Sequence, residues 1–420
     1  MRIAMLSLHT CPLATLGGKE TGGMNVYVHE LASELGRQGV GVDVFTRSQD
    51  EHEPHVKHDL GNGNRVLHIP AGPEHPLPKA ELYQHVPEFV GGVRLAAAML
   101  DAHYDVIHSH YWLSGVVARQ LQQHWPVPVV HMAHTLGVMK NRVALSAAEQ
   151  EPQLRLDTEQ RLLRWANHTV AATIAEEMQL RWLLHNDNAT VRVIPPGVDT
   201  QRFRPTDRAA ARAAIGVDAD ANMLLFVGRI EPLKGADTLL QAVQLLRARG
   251  ELPARLSLSI IGGDPDQPRE ARLAELQRLM ELRDELGLGE VVTFLGKRAQ
   301  ETLPDYYVAA DVVVMPSLYE SFGMVALEAM ACGTPVVASQ VGGLAYLVRD
   351  GETGYLVPDR DPAELADRLS RLLSNPELRA QMGAQAVRHA RTYAWPDITR
   401  KIIGLYVDAV RGFVAPVAAE

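Results

Sequence analysis

Short apolar runs alternate with amphipathic stretches along almost the whole chain. Ile3–Ser7, Val40–Thr46, Val66–Ile69, Val106–His108, Val127–His131, Thr169–Thr173 and Val191–Ile194 read as strands. Apolar runs of this kind suit parallel strands buried on both faces. Between the first two lies a helix with Met24, Val28, Leu31 and Leu35 on one face, ended by Gly36 and Gly39. Further helices are expected over Gly91–His103, Pro152–Asn167 and Glu176–Leu184. The rhythm breaks at Pro195-Pro196-Gly197, and the polar stretch Thr200–Asp207 reads as a linker. It then restarts, with strands at Met223–Val227, Leu256–Ile261, Val291–Leu295, Val312–Pro316 and Val336–Ala338. Helices fall between them, one running through Leu246, one over Leu273–Leu286 and one over Met324–Ala331. Gly351–Val357 reads as a hairpin or bulged turn, Pro362–Leu373 and Pro376–Tyr393 as surface helices, and Ile398–Val414 as a long amphipathic helix. Alternation of this sort predicts an α/β fold with two Rossmann-like domains, 1–196 and 197–394, followed by a C-terminal helical segment, 395–420.

Composition narrows the possibilities. With 420 residues, 46% hydrophobic and 22% charged, the chain is an ordinary globular one with enough apolar content for two cores. Its 41 basic against 50 acidic residues give a net charge of −9, which argues against nucleic-acid or anionic-membrane partners. An anionic ligand would need a local cationic pocket. Only Cys11 and Cys332 are present, with no disulfide framework or zinc spacing, so a reducing, cytoplasmic setting is expected. No apolar run is long enough to span a membrane, and Met1–Leu6 is too short for a signal peptide.

The chemistry concentrates at strand ends. In the stretch from Pro316 to Ser339, a strand end, a polar loop, a short helix and a new strand succeed one another. Glu320 lies in the loop and Glu328 in the second helical turn, with the helix opening between them. Unpaired N–H groups at Gly323–Val325 and the helix dipole would favour a diphosphate there, and the carboxylates could accept hydrogen bonds from sugar hydroxyls. Read alone, the pair is equally consistent with a surface Glu and a helix-favouring Glu. Arg229 and Lys234 flank another helix start at a strand's carboxyl end, where cations would neutralise a diphosphate. Gly22-Gly23, after the Gly17-Gly18-Lys19-Glu20-Thr21 stretch, would let a ligand approach the backbone, although the G-x-G-x-x-G spacing is missing. His108, His110, His131 and His134 cluster at two strand ends. No carboxylate stands at a fixed spacing from them, so hydrogen bonding to a polar ligand is favoured over a metal site.

Together, Gly22-Gly23-Met24-Asn25, the Arg229/Lys234 pair and Glu320-Ser-Phe-Gly with Glu328 resemble the retaining GT-B glycosyltransferases of family four over essentially the whole chain. His108-Ser-His-Tyr-Trp-Leu-Ser-Gly115 and His134-Thr-Leu136 are similar to the mycothiol-pathway branch, which moves N-acetylglucosamine from UDP-GlcNAc to 1L-myo-inositol 1-phosphate. Sucrose-phosphate synthases are more distantly similar. The resemblance implies two domains facing a central cleft, a C-terminal helix crossing back to the first of them, and closure about 196–207 and 395–420. It implies that Gly22 and Gly23 approach the donor diphosphate, Arg229 and Lys234 hold it, and Glu320 with the Phe322, Gly323, Met324 and Val325 amides binds the donor sugar. Glu328 would take the ribose, the backbone at Arg298 the uracil, and His134 a place beneath the sugar. Asn25 would contact the acceptor, and Lys79, Tyr111, Thr135 and Arg155 its phosphate. A phosphomonoester carries close to two charges near neutral pH, which Lys79 and Arg155 would balance. The resemblance further implies a UDP-sugar as donor, no required cofactor or metal, and a homodimer.

Other readings stay open. Lys140 lies near a sucrose-phosphate-synthase phosphate ligand, so fructose 6-phosphate is an alternative acceptor. A glycosidase-type carboxylate pair is disfavoured by Glu328's place beside a nucleotide. Asp264-Pro265-Asp266 imitates the metal motif of the other glycosyltransferase fold but reads as a turn. A phosphorylase, an epimerase or a non-catalytic nucleotide-sugar-binding protein are the remaining rivals.

Overall fold

The computed structural model describes residues 1–14, 22–144, 146–182, 190–265 and 274–414. The Gly17–Thr21 stretch, Asp266 and the ends of two expected helices, at Leu183-Leu184 and Leu273, lie outside them. Contacts divide the chain into two units. One comprises Met1–Ala14, Gly23–Pro195 and the chain from Trp395 onward; the other comprises Pro196–Ala394 and also takes Gly22.

The first unit holds β1 (Arg2–Leu6), β2 (Gly41–Arg47), β3 (Val56–Lys57), β4 (Arg65–Ile69), β5 (Val106–His110), β6 (Val129–Met132), β7 (His168–Ala171) and β8 (Val191–Val193). They form one sheet in the order β3-β4-β2-β1-β5-β6-β7-β8, parallel except for the edge pair β3–β4. Strand order reverses between β1 and β5, the place where open α/β sheets bind ligands at the carboxyl ends. Met5 stands opposite Val44 on one side and His108 on the other. Ile3, Met5, Val44 and Ile107 are wholly buried, as the apolar runs require. One polar group interrupts this core. Asp43 in β2 is buried and accepts from Arg2, Arg65 and Tyr104, so its charge is fully compensated.

The second unit holds β9 (Asn222–Val227), β10 (Leu256–Ile261), β11 (Val292–Gly296), β12 (Val312–Met315), β13 (Val336–Ser339) and β14 (Gly354–Val357). Their order is β11-β10-β9-β12-β13-β14, all parallel, with the reversal between β9 and β12. Helices Ala236–Ala248, Ala274–Glu285 and Pro362–Leu373 pack Leu239, Leu276 and Leu369 into its core.

The structure corrects two local expectations and adds two helices. Of the hairpin or bulged turn expected over Gly351–Val357, only the turn is present. Gly351, at φ +72°, makes a tight turn, and Gly354–Val357 then joins β13 in parallel. A side chain at Gly354 would strike the Val336 carbonyl, so this edge strand depends on that glycine. The helix expected over 91–103 is Val86–Met99. Pro87 suits its first turn, and Asp101, at φ +47°, turns the chain out of it. An unexpected helix, Tyr111–Leu121, follows β5 directly. Its Gly115 admits the Leu162 side chain to within 2.4 Å of where a Cβ would stand. After the linker, Arg208–Ile215 forms a helix capped by Asp207 and ended by left-handed Gly216. The terminal helix is Trp395–Gly412 and packs on Gly23–Arg37. Among the described residues, no helix is long and apolar enough to cross a membrane.

Candidate active site

In the second unit the site gathers at the β9/β12 reversal. Gly228 and Arg229 follow β9; a single turn, Pro232–Lys234, then leads into helix Ala236–Ala248. Gly235, at φ +64°, joins turn to helix so closely under Pro316 that a Cβ would lie 2.0 Å from the Pro316 carbonyl oxygen. The Leu318 amide donates to the Leu233 carbonyl at 2.8 Å, locking the loop after β12 onto the same turn. This lock sets Lys234 Nζ 2.5 Å from the Glu320 carboxylate. The two side chains are 18% and 16% exposed, enough for a ligand to reach both. Arg229 pairs with Glu231 at 2.8 Å.

Gly323, at φ +107°, opens helix Met324–Ala331, as the residues around it predict. Phe322 is buried beneath this loop and contacts Tyr393. Glu328 is buried and accepts from the Tyr307 hydroxyl at 2.8 Å. Burial first, and then this carboxylate, push the Tyr307 phenol far above its ordinary pKa, so it stays a donor. Arg298 stands beyond β11, its Nε donating to Tyr306 at 2.9 Å.

Sequence reading missed Gly342-Gly343. The Gly343 amide donates to the Glu320 carbonyl at 2.8 Å, and a Cβ on Gly342 would sit 1.9 Å from that oxygen. Gly342 is also left-handed, at φ +46°. This pair therefore fixes the height of the Glu320 loop. The only sequence signal was a Gly-Gly after β13. Gly342→Ala is expected to cost about 2–4 kcal/mol, from backbone strain and overpacking. It should also lower kcat more than tenfold by displacing Glu320. A thermal melt with steady-state kinetics checks this; unchanged kcat in a folded variant would detach the loop height from turnover.

In the first unit the polar groups gather at the carboxyl ends of β1, β5 and β6. Gly23 begins helix Gly23–Arg37, and Asn25 in its first turn is buried. The Asn25 amide donates to Thr10 Oγ1 at 2.6 Å and to the Cys11 carbonyl at 2.7 Å. Burial pushes the Cys11 thiol up to about 11. Tyr111 and His134 both occupy left-handed backbone, at φ +73° and +60°. Non-glycine residues hold such a conformation only where their surroundings demand it.

Arg155, from helix Gln153–Trp165, is 1% exposed. Its guanidinium donates to Glu159 at 2.6 Å, to the Tyr111 hydroxyl at 2.9 Å, and to the Thr135 carbonyl and hydroxyl at 2.9 and 3.0 Å. It also pairs with Glu151 at 2.9 Å and lies over the Tyr111 ring, as does Lys79 at 5.6 Å from the centroid. Lys79, Tyr111, Thr135 and Arg155, drawn from four separate segments, thus meet at one place. Burial works against the Arg155 charge, but Tyr111, Glu159 and Glu151 outweigh it and raise its pKa.

Beside this cluster stand four histidines, of which His108, His110 and His131 are buried and His134 is partly exposed. His110 Nδ1 lies 2.9 Å from His134 Nε2, His131 Nδ1 2.9 Å from Ser109 Oγ, and His108 Nδ1 2.7 Å from the Tyr406 hydroxyl. Burial lowers their pKa values to about 3 for His108 and His134, about 4 for His131, and well below normal for His110. They are neutral hydrogen-bonding groups. Among the described residues, no cluster of His, Cys, Asp and Glu is arranged to hold a metal ion.

Known proteins match this architecture along its length. Residues 21–202 match the family model described as Glycosyltransferase Family 4, and residues 207–389 the one described as Glycosyl transferases group 1. A D-inositol 3-phosphate glycosyltransferase of Saccharomonospora viridis is 45% identical over 414 residues, covering 98% of this chain and 95% of that one. One of the same name from Actinosynnema mirum is 43% identical over 410 residues, covering 97% of each. Among solved structures, a sucrose-phosphate synthase from Thermosynechococcus elongatus superposes with a TM-score of 0.88 at 36% identity, covering 97% of this chain and 98% of its own. Anabaena HepE, solved with UDP and glucose, shares the fold at a TM-score of 0.75 and 21% identity, covering 97% of this chain and all of its own. With two parallel α/β sheets, each reversing at a polar cluster, and full-length relatives of this kind, the chain belongs to glycosyltransferase family 4 and is a glycosyltransferase of the GT-B fold.

Proposed function

We propose that this glycosyltransferase moves N-acetylglucosamine from UDP-GlcNAc to 1L-myo-inositol 1-phosphate, the 3-phosphate in the alternative numbering, with retention at the anomeric carbon. The meeting of Lys79, Tyr111, Thr135 and Arg155 carries the acceptor half of this reading. Two cations and two hydroxyl groups converge there, which suits a phosphomonoester. The names of the 42–45% identical relatives support the inositol.

On the second unit, Arg229 and Lys234 meet the charge that develops on departing UDP, assisted by the amides that open helix Met324–Ala331. Glu320 and the Phe322–Val325 backbone hold the donor sugar, Glu328 the ribose and Arg298 the base. Gly22 and Gly23 approach the diphosphate. On the first unit, Asn25 contacts the acceptor and His134 stands beneath the sugar. The departing phosphate takes the acceptor proton as the new bond forms on the same face. Fructose 6-phosphate is the second acceptor to test, because the sucrose-phosphate synthase superposes so closely.

The test crosses UDP-GlcNAc, UDP-glucose, ADP-glucose and GDP-mannose with inositol phosphate, fructose 6-phosphate and unphosphorylated sugars, read by mass spectrometry. Product from UDP-GlcNAc with inositol phosphate alone is the expected result. Lys79→Ala should raise acceptor KM about tenfold or more while leaving UDP binding unchanged, as for a lost charge-assisted contact. Transfer to neutral acceptors only would discard the phosphate reading.

A further inference from the structure

We propose that Glu151 is a specificity-determining residue. Its carboxylate holds the place of the acceptor phosphate between Lys140 and Arg155, and a doubly charged anion displaces it where a singly charged or neutral one does not. The inference rests on the phosphorylated-acceptor reading above and adds a residue that selects by charge.

Glu151 pairs with both Lys140 and Arg155, the latter at 2.9 Å. Its backbone is pinned separately, and among the described residues its side chain is held only by these two ion pairs. The Glu151 amide donates to Asn141 Oδ1 at 2.6 Å, and Asn141 Nδ2 donates to the Glu151 carbonyl at 3.3 Å. The carboxylate is 18% exposed, so rotation about side-chain bonds alone carries it to solvent. Arg155 remains held after that rotation by Glu159, Tyr111 and Thr135. The loss of Glu151 therefore frees a place for an anion without releasing the guanidinium.

Charge counting sets the selectivity. Lys79, Lys140 and Arg155 supply three positive charges, against two negative ones from Glu151 and Glu159. A phosphate dianion added beside Glu151 would leave the cluster one charge negative; with Glu151 swung out, the cluster is neutral. A neutral hydroxyl offers the cations less than the carboxylate it would replace, and a monoanion merely exchanges one charge for another. Burial opposes ionisation of Glu151, yet Arg155 and Lys140 overcome it, so the residue stays charged and in competition for its place at neutral pH.

The experiment measures competition of inorganic phosphate and of dimethyl phosphate with the acceptor at about pH 8, where phosphate is mostly a dianion. It compares wild type, Glu151→Gln and Glu151→Asp, with Lys79→Ala run in parallel and UDP binding as control. The wild type should favour phosphate. Glu151→Gln should tighten dimethyl phosphate about tenfold or more and narrow the ratio between the two anions, with UDP binding unchanged. Glu151→Asp, which keeps the charge but shortens its reach, should fall between and serves if the Gln variant does not fold. Weaker or unchanged binding of both anions in the Glu151 variants, while Lys79→Ala still raises acceptor KM, would overturn the proposal and leave the phosphate reading standing. If neither anion competes and Lys79→Ala has no effect, the phosphate reading falls and takes the proposal with it.

Discussion

Lys234→Ala is expected to lower kcat by about 10²–10³-fold with a much smaller change in donor KM. The reason lies in when the ammonium is needed. In the unliganded protein its partner is the Glu320 carboxylate, 2.5 Å away. In the proposed reaction, charge would build on the leaving diphosphate as the glycosidic bond breaks, and a cation already fixed in place would stabilise it without reorganising. Gly235 and the Leu318–Leu233 bond supply that fixing. Removing Lys234 also leaves a half-buried carboxylate unpaired, which costs stability in its own right. A double-mutant cycle with Glu320→Gln separates the two effects. The stability loss should largely disappear in the double variant, while its kcat stays well below that of Glu320→Gln alone. Unchanged kcat with a raised donor KM would make Lys234 a ground-state anchor instead.

The sequence exposed the frame of this site because its signals are local. The strands that frame it, β9 and β12, are contiguous apolar runs, and Arg229, Lys234 and Glu320 each follow one closely, at its carboxyl end. The strand-end placement of Tyr111 and Thr135 was legible for the same reason. What escaped depends on contacts between distant segments. Gly342-Gly343 looks like any turn until the Glu320 carbonyl is seen against it. Glu151 sits among polar residues ahead of a helix, and only folding brings it onto Lys140 and Arg155. Helix Tyr111–Leu121 was hidden because Ser114 and Gly115 are weak helix formers; tertiary packing, with Leu162 seated on Gly115, overrides propensity. Strand β14 was read as part of a hairpin or bulged turn because Gly351 and Gly354 are turn signals in either structure.

Stability should collapse on mild acidification, and the histidine cluster is the cause. His108, His110, His131 and His134 bind no proton in the folded state until the pH is far below their ordinary range. In the unfolded chain each takes one up near pH 6.5. Below that pH the unfolded state binds more protons, so stability falls as pH falls, by about 1.4 kcal/mol per histidine per unit. Glu176 opposes them. It is wholly buried and its pKa is raised to about 7, so between about 4.5 and 7 the folded state holds a proton that the unfolded state has lost. The net slope is then about 4 kcal/mol per pH unit. A domain stable by 5–15 kcal/mol would be lost within roughly one to four units below 6.5. All five tryptophans, Trp112, Trp125, Trp165, Trp182 and Trp395, lie in the unit that holds this cluster, so indole fluorescence reports on it directly. Urea titrations between about pH 5 and 8 should show the midpoint dropping steeply on the acid side. Glu176→Gln, which mimics the protonated acid, should raise stability near pH 8 by up to about 3 kcal/mol and steepen the acid limb. A midpoint flat from pH 8 to 5 would mean that the histidines reach their protons inside the fold, and with them the neutral His110–His134 contact beside the site would have to be given up.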